Sequence, residues 1–157
     1  MQIGHMDLNG LNGHDAGRKL LADMYREATG QPLPQIRVTD RGKPYFADAP
    51  LQFSISHTKN HVFCILSERC VGIDAEEQDR DIDLRLAEKI LSPTEKERFD
   101  RAADKRIALL KLWVLKEGYA KATGRGWGSY LYETDFDPHD PRIQEMNDCF
   151  VAAIQEE

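Results

Sequence analysis

Val71-Gly72-Ile73-Asp74-Ala75-Glu76 is the segment that frames this chain. Val71 and Ile73, with the apolar lead-in before them, read as a buried strand. Side chains alternate between the two faces of a strand, so Asp74 and Glu76 point the same way while Ala75 faces the other side. Like charges on one face repel. The pair therefore reads either as a solvated strand end or as half of a cation site. Hard oxygen donors on a short rigid segment suit Mg²⁺, which takes one or two carboxylates and completes its shell with water and substrate phosphate.

A second stretch, Leu112-Trp113-Val114-Leu115-Lys116-Glu117-Gly118-Tyr119-Ala120-Lys121, reads as a helix beginning near Ile107. Leu109, Leu110, Trp113 and Val114 recur at helical spacing. Trp113, Glu117 and Lys121 are successive i, i+4 positions and share one face. That face puts a carboxylate and an ammonium beside a large aromatic. Read alone, Glu117 and Lys121 are equally a surface ion pair worth a few tenths of a kcal/mol.

The 157 residues suffice for one domain or two small fused lobes. Hydrophobic residues are 41% and charged residues 31%, ordinary for a soluble globular chain. A formal net charge of -6 argues against a general nucleic-acid binder, so a phosphate-bearing ligand needs a local basic pocket. Cys64, Cys70 and Cys149 have no metal-ligand spacing. Cys64 and Cys70 lie in apolar stretches and are expected as buried thiols in a reducing compartment. No apolar run is long enough to span a membrane and no signal peptide is visible, so the expected location is cytoplasmic. The opening Met1 to Met6, with Gly4-His5-Met6, has the look of a remnant of cloning and is set aside.

In chain order, Asp15 to Thr29 is expected as a helix with Asp15 as its cap and Gly30 just past its end. Gln35 to Thr39 alternates as a strand with Ile36 and Val38 inward. Asp40-Arg41-Gly42-Lys43-Pro44 is a turn that displays Lys43. Leu51, Phe53 and Ile55 form a strand ending in Ser56-His57-Thr58. Hydroxyl, imidazole and backbone N–H donors there can hold a phosphate, or the segment is a plain turn with an exposed histidine. His61 to Ser67 and Cys70 to Glu76 are expected as a hairpin. Leu84, Ala87, Ile90 and Leu91 make a helical stripe. Ser92-Pro93-Thr94-Glu95 signals a helix start, with Ser92 as N-cap, Pro93 at the first helical position and Glu95 closing a capping box. Asp104 caps the next helix, which Gly124-Arg125-Gly126 ends. Ser129 to Phe136 shows aromatic alternation and reads as a strand; Cys149 to Ile154 is the last strand. The order is α+β.

Taken together, Gly42-Lys43-Pro44, Phe53-Ser54-Ile55-Ser56-His57, Val71 to Glu76, and Trp113-Val114-Leu115-Lys116-Glu117 with Lys121 and Gly124-Arg125-Gly126 resemble the 4′-phosphopantetheinyl transferases. The closer likeness is to the two-lobed type that activates peptide and polyketide synthases. It runs from about residue 41 to 136, with every motif in the family's order. The resemblance implies an α+β fold of two similar lobes about a pseudo-twofold axis, each a small antiparallel sheet packed on helices, with residues 1–70 as the N-terminal lobe and 71–157 as the C-terminal lobe. It implies Mg²⁺-dependent transfer of phosphopantetheine from coenzyme A to a serine of an apo acyl or peptidyl carrier protein, releasing adenosine 3′,5′-bisphosphate. Asp74, Glu76 and Glu117 would bind Mg²⁺. Glu117 would also deprotonate the serine, and Lys121 would pair with the phosphates. Lys43, Ser56 and His57 would hold the 3′-phosphate end and the pyrophosphate of coenzyme A. Lys116 would support the site. Arg18, Lys19 and Arg37 are candidates for further 3′-phosphate contacts. Neither nucleic acid nor membrane is an expected partner. The alternative is a non-catalytic coenzyme A or carrier-protein binding module derived from this family.

Overall fold

The computed structural model describes residues 1–156. The carboxylate strand, β6 (Val71–Glu77), is the edge of a three-stranded antiparallel sheet. Its partner is β8 (Cys149–Gln155), paired on its other side with β7 (Ile143–Met146). The register sets Asp74 opposite Ala152 and Glu76 opposite Phe150. A second sheet is built from β1 (Gln2–Asp7), β4 (Gln52–His57) and β5 (His61–Ser67) in the order β1-β5-β4. Helix α1 (Gly13–Thr29) packs on it through Ala16, Leu20, Leu21 and Met24. A two-stranded ribbon, β2 (Ile36–Val38) with β3 (Pro44–Phe46), stands beside it. After β6 come a 3₁₀ turn (Leu84–Leu86), α2 (Ala87–Ile90), α3 (Pro93–Arg101), α4 (Lys105–Thr123) and α5 (Tyr130–Glu133). In both three-stranded sheets the first strand leads into helical chain and then pairs with the last strand, leaving the middle one outside.

The two sheets meet where β4 runs beside β6. Ser54 Oγ accepts from the Ile73 N–H and Ser56 Oγ from the Ala75 N–H, each at 3.1 Å. An edge strand leaves alternate backbone groups unpaired, and two buried serines meet that need here. Between the sheets lies a core of Phe63, Ile65, Val71, Ile73, Ala75, Cys149, Val151 and Ala153.

The helix α4 is positioned by bare backbone. A Cβ on Gly72 would stand 2.0 Å from the Gly118 carbonyl oxygen and 2.3 Å from the Ala122 nitrogen. Glycine at position 72 is therefore what lets α4 lie directly on β6. The expected signals at its ends hold: the Asp104 side chain accepts from the Ile107 N–H, and Gly124 terminates the helix at φ 66°. Ser92, Pro93 and Glu95 form the expected capping box on α3. No helix of the described residues is long and apolar enough to cross a membrane.

Several expectations are corrected. The hairpin of residues 61–67 with 70–76 does not form. The two edges of β5 are taken by β4 and by β1, the segment set aside as a remnant of cloning, so β6 crosses to pair with β8. Residues 129–136 are not a strand. Tyr130–Glu133 is a helical turn, and the Leu131 carbonyl is held by the Lys116 ammonium. Asn12, not Asp15, caps α1 by accepting from the Asp15 N–H. Val38 is exposed, since the two-stranded ribbon has no cover on that side, and Cys70 is exposed in the turn before β6.

Candidate active site

A cavity of about 250 Å³ opens between the β3–β4 region and the C-terminal end of α4, lined in part by Arg41, Lys43, Phe53, Glu117, Lys121 and Trp127. It brings together residues some eighty positions apart. Lys43 reaches it because its turn docks on the end of α4: the ammonium donates to the Ala122 carbonyl, and the side chain lies where a Cβ on Gly124 would be. Burial lowers the Lys43 pKa from the ordinary lysine range. Arg41 fastens the same turn by donating to the Arg125 carbonyl at 3.2 Å. Lys43 is thus half-buried and latched, not freely displayed as its turn position suggests.

Lys121 lines the cavity, whereas Asp74, bonded to it, and Glu76 lie outside the lining. The Lys121 ammonium donates to Asp74 Oδ1 at 2.7 Å and to the Ile73 carbonyl at 3.1 Å. Ser56 donates its hydroxyl proton to the same Oδ1 at 3.1 Å while accepting from Ala75. Asp74 Oδ2 is buried with no hydrogen-bond partner among the described residues. An orphaned buried carboxylate oxygen is costly, so this atom marks a place for a cation or donor that the protein itself does not supply.

Glu76 and Glu117 flank Asp74. Glu76 pairs with Arg80, whose guanidinium lies 5.9 Å from the Trp113 ring centre. Glu117 accepts from the Trp127 indole at 2.6 Å, and Trp127 stacks against Trp113 at 5.5 Å. All three carboxyl groups are pushed above the ordinary acid range, with burial the largest cause in each. Arg80 opposes the rise at Glu76 and the Trp127 hydrogen bond opposes it at Glu117. The Asp74 charge adds to the rise at both glutamates. Each glutamate is therefore within electrostatic reach of Asp74, and each has its own partner, Arg80 for Glu76 and Trp127 for Glu117. Among the described residues, the only three His, Cys, Asp or Glu side chains with ligand atoms all within 4.8 Å of one another are elsewhere.

The remaining expected residues divide. Ser56 is buried, with its hydroxyl committed to Asp74 and Ala75, so it acts on the site through Asp74. His57 is exposed at the end of β4 and lies outside the cavity lining, its ring packed over Gly13 at the head of α1. Lys116 does not face the cavity. It is fully buried on another side of α4, bonded to Glu95 at 2.8 Å and to the Leu131 carbonyl at 2.5 Å. As a contact for a bound cofactor Lys116 is excluded by that burial. Arg80 and Trp127 are residues the sequence reading missed. Arg80 sits in a polar loop that carried no pattern, and Trp127 follows the Gly-Arg-Gly end of α4 by one residue.

Residues 70–151 match the family model described as the 4′-phosphopantetheinyl transferase superfamily. The chain is 33% identical over 144 residues to the 4′-phosphopantetheinyl transferase AcpT of Salmonella typhimurium, covering 88% of this chain and 71% of that one. It is 36% identical over 92 residues to the 4′-phosphopantetheinyl transferase gsp of Aneurinibacillus migulanus, covering 57% of this chain and 38% of that one. With HetI of Nostoc it shares 34% over 121 residues, covering 71% of this chain and 51% of the relative. The chain spans about half the length of several of the curated relatives it matches. On the family match and the extent of the AcpT alignment, this chain belongs to the 4′-phosphopantetheinyl transferase superfamily.

Proposed function

We propose that the protein is a Mg²⁺-dependent holo-carrier-protein synthase: it transfers 4′-phosphopantetheine from coenzyme A to a serine of an apo acyl or peptidyl carrier protein, releasing adenosine 3′,5′-bisphosphate. The observation that carries this reading is the buried Asp74, with one oxygen on Lys121 and the other without a partner among the described residues, where Lys121 itself lines the same cavity as Lys43 and Glu117. The donor set is all carboxylate oxygen, which fits Mg²⁺. Asp74, Glu76 and Glu117 would hold the ion, and the bound ion supplies positive charge to the pyrophosphate and its leaving group.

The protein's own residues supply the rest. Transfer forms a bond between the serine oxygen and the β-phosphorus and breaks that phosphorus's bond to the bisphosphate oxygen. Negative charge spreads over the transferred group and the leaving oxygen, so fixed cations lower the barrier. Lys121 and Lys43, both in the cavity lining, are such cations. Glu117, with its pKa raised, accepts the serine proton. Trp127 orients that carboxyl. Ser56 positions Asp74. His57, outside the cavity at the head of α1, would meet a phosphate on another part of coenzyme A than the one Lys121 meets. We also assign the residues to two lobes, 1–70 and 71–157. The repeated strand–helix–strand–strand course, with the first strand pairing the last in each sheet, supports that division, as does the turn between β5 and β6.

The test is incubation with coenzyme A, Mg²⁺ and a panel of apo carrier proteins, read by mass spectrometry for the gain on serine. Transfer should stop in chelator. Glu117→Ala should abolish it while the circular-dichroism melt is kept. A Glu117→Ala protein that transfers without metal removes this mechanism. Calorimetric binding of coenzyme A with no transfer to any carrier supports the binding module instead.

A further inference from the structure

On the first sheet, β1 and β5 bring His5, Asp7 and His61 to one place. Asp7 pairs directly with His61 across the strands, and His5 lies two residues from Asp7, on the same face. His61 Nδ1 is 2.9 Å from Asp7 Oδ1, His5 Nε2 is 3.1 Å from His61 Nδ1, and His5 Nε2 is 3.5 Å from Asp7 Oδ1. Three potential ligand atoms thus form a small triangle. As hydrogen bonds these contacts compete. If the His61 Nδ1 proton goes to Asp7, the His5 nitrogen meets an already engaged proton or must share the same carboxylate oxygen. One cation would serve all three lone pairs at once. Tetrahedral zinc with bonds of about 2.0–2.1 Å separates its ligand atoms by about 3.3 Å, which the observed edges straddle.

The surroundings fit a built site. Both imidazoles pack against the buried Phe63, with ring centres 4.9 Å and 6.4 Å away, so their planes are held. His5 and His61 side chains are only 23% and 19% exposed, whereas Asp7 is 57% exposed and opens to a surface depression. The protein supplies three ligands and the solvent side is left for a fourth. Lys59 lines the same depression and opposes a cation there, so the ion must be held by its direct ligands.

We propose that His5, Asp7 and His61 form a second metal site, selective for a late first-row divalent cation such as Zn²⁺, that clips the edge strand β1 to β5. Two imidazole nitrogens and one carboxylate suit Zn²⁺, Ni²⁺ or Cu²⁺; Mg²⁺ prefers an all-oxygen shell. The site is independent of the transferase reading. Its role is structural: among the described residues β1 has no partner on its outer edge, and a metal bridge adds a fixed link to the ladder.

The experiment uses the full chain with Cys70→Ser, which removes the exposed thiol, after treatment with chelator. Zn²⁺ alone is titrated by calorimetry, and Co²⁺ alone is followed by its visible absorption. The expected result is one Zn²⁺ per chain, with affinity about a hundredfold weaker in His61→Ala and in His5→Ala, both shown folded by circular dichroism. A Zn²⁺-dependent rise in melting temperature should be present in the parent and absent from both variants. Asp74→Asn should bind Zn²⁺ as the parent does. The proposal is overturned if no Zn²⁺ binds, if both histidine variants bind it unchanged, or if Asp74→Asn is the variant that loses it.

Discussion

Two lysines five residues apart on α4 meet carboxylates under opposite conditions. Lys116 and Glu95 are both fully buried and every polar atom has work. Glu95 accepts from the Ser92 and Phe136 amides as well as from Lys116, and Lys116 also donates to Leu131. Lys121 and Asp74 are also close, at 2.7 Å, but Lys121 is partly open to the cavity and one Asp74 oxygen has no partner among the described residues. The closed pair fixes where α3, α4 and the loop after α5 sit. The open pair is poised to change partners. A buried charge is tolerable when all its valences are met; one left unmet is a mark of a ligand or of chemistry.

The sharpest way to break the contrast is to remove one lysine from the closed pair. Lys116→Met should cost about 3–5 kcal/mol, because it strands the Glu95 charge in the core. Urea denaturation measures it. A cost near that of an ordinary surface change would mean that the pair is not closed. The open pair should respond in the reverse sense. Asp74→Asn should lower transferase activity by about a hundredfold or more, with little or no loss of stability.

The same variant has a pH signature. The Asp74 pKa is raised in the folded protein, mainly by burial. Between the ordinary carboxylate pKa and that raised value, the folded state binds more protons than the unfolded one. Stability contributed by the protonated carboxyl is full below the ordinary pKa and is lost as pH climbs through the folded pKa. In chelator, the melting temperature of the parent relative to Asp74→Asn should therefore fall as pH rises from the ordinary carboxylate pKa, about 4, through the raised one. A difference that grew with pH would mean that the Lys121 ion pair outweighs burial. Added Mg²⁺ should raise the parent's melting temperature at the alkaline end and leave Asp74→Asn nearly unmoved. The smallest effect is expected at Ser54→Ala, which leaves the Ile73 N–H without its acceptor. It should cost about 1 kcal/mol by thermal melt and leave activity nearly intact, whereas Ser56→Ala, next to Asp74, should reduce both.

The sequence was most readable where a local pattern and a local cause coincide. Ser92-Pro93-Thr94-Glu95 and Asp104 name their helix starts because capping is settled within four residues. The face bearing Trp113, Glu117 and Lys121 follows from helical period alone. Strand partners were not readable, because pairing is settled by segments far apart. β1, set aside as a remnant of cloning, is a strand because His61–Ser67 pairs with it. The alternation over residues 129–136 misled because Phe136 packs on Tyr119 and Tyr130 on the Arg125 guanidinium, contacts that a helical turn also delivers. A missed signal was present nearby. Asn147 and Asp148 take φ of 51° and 57°, the paired left-handed residues of a two-residue hairpin turn between β7 and β8. Within the candidate site, Lys43, Glu117 and Lys121 come together at one cavity. Lys116 stood in the same motif as Glu117, yet the rotation of about 100° between neighbouring helix positions sends the two side chains in different directions.

The contact of Gly72 with Gly118 has a consequence for tolerance. Where side chains separate a helix from a sheet, a shift at one end can be absorbed by a change of rotamer. Here peptide groups touch with nothing in between. The gap between the Asp74 strand and the helix bearing Glu117 and Lys121 is fixed by atomic radii, as in a gauge block. Any sideways push on α4 from elsewhere in the molecule would reach the three charged groups undamped.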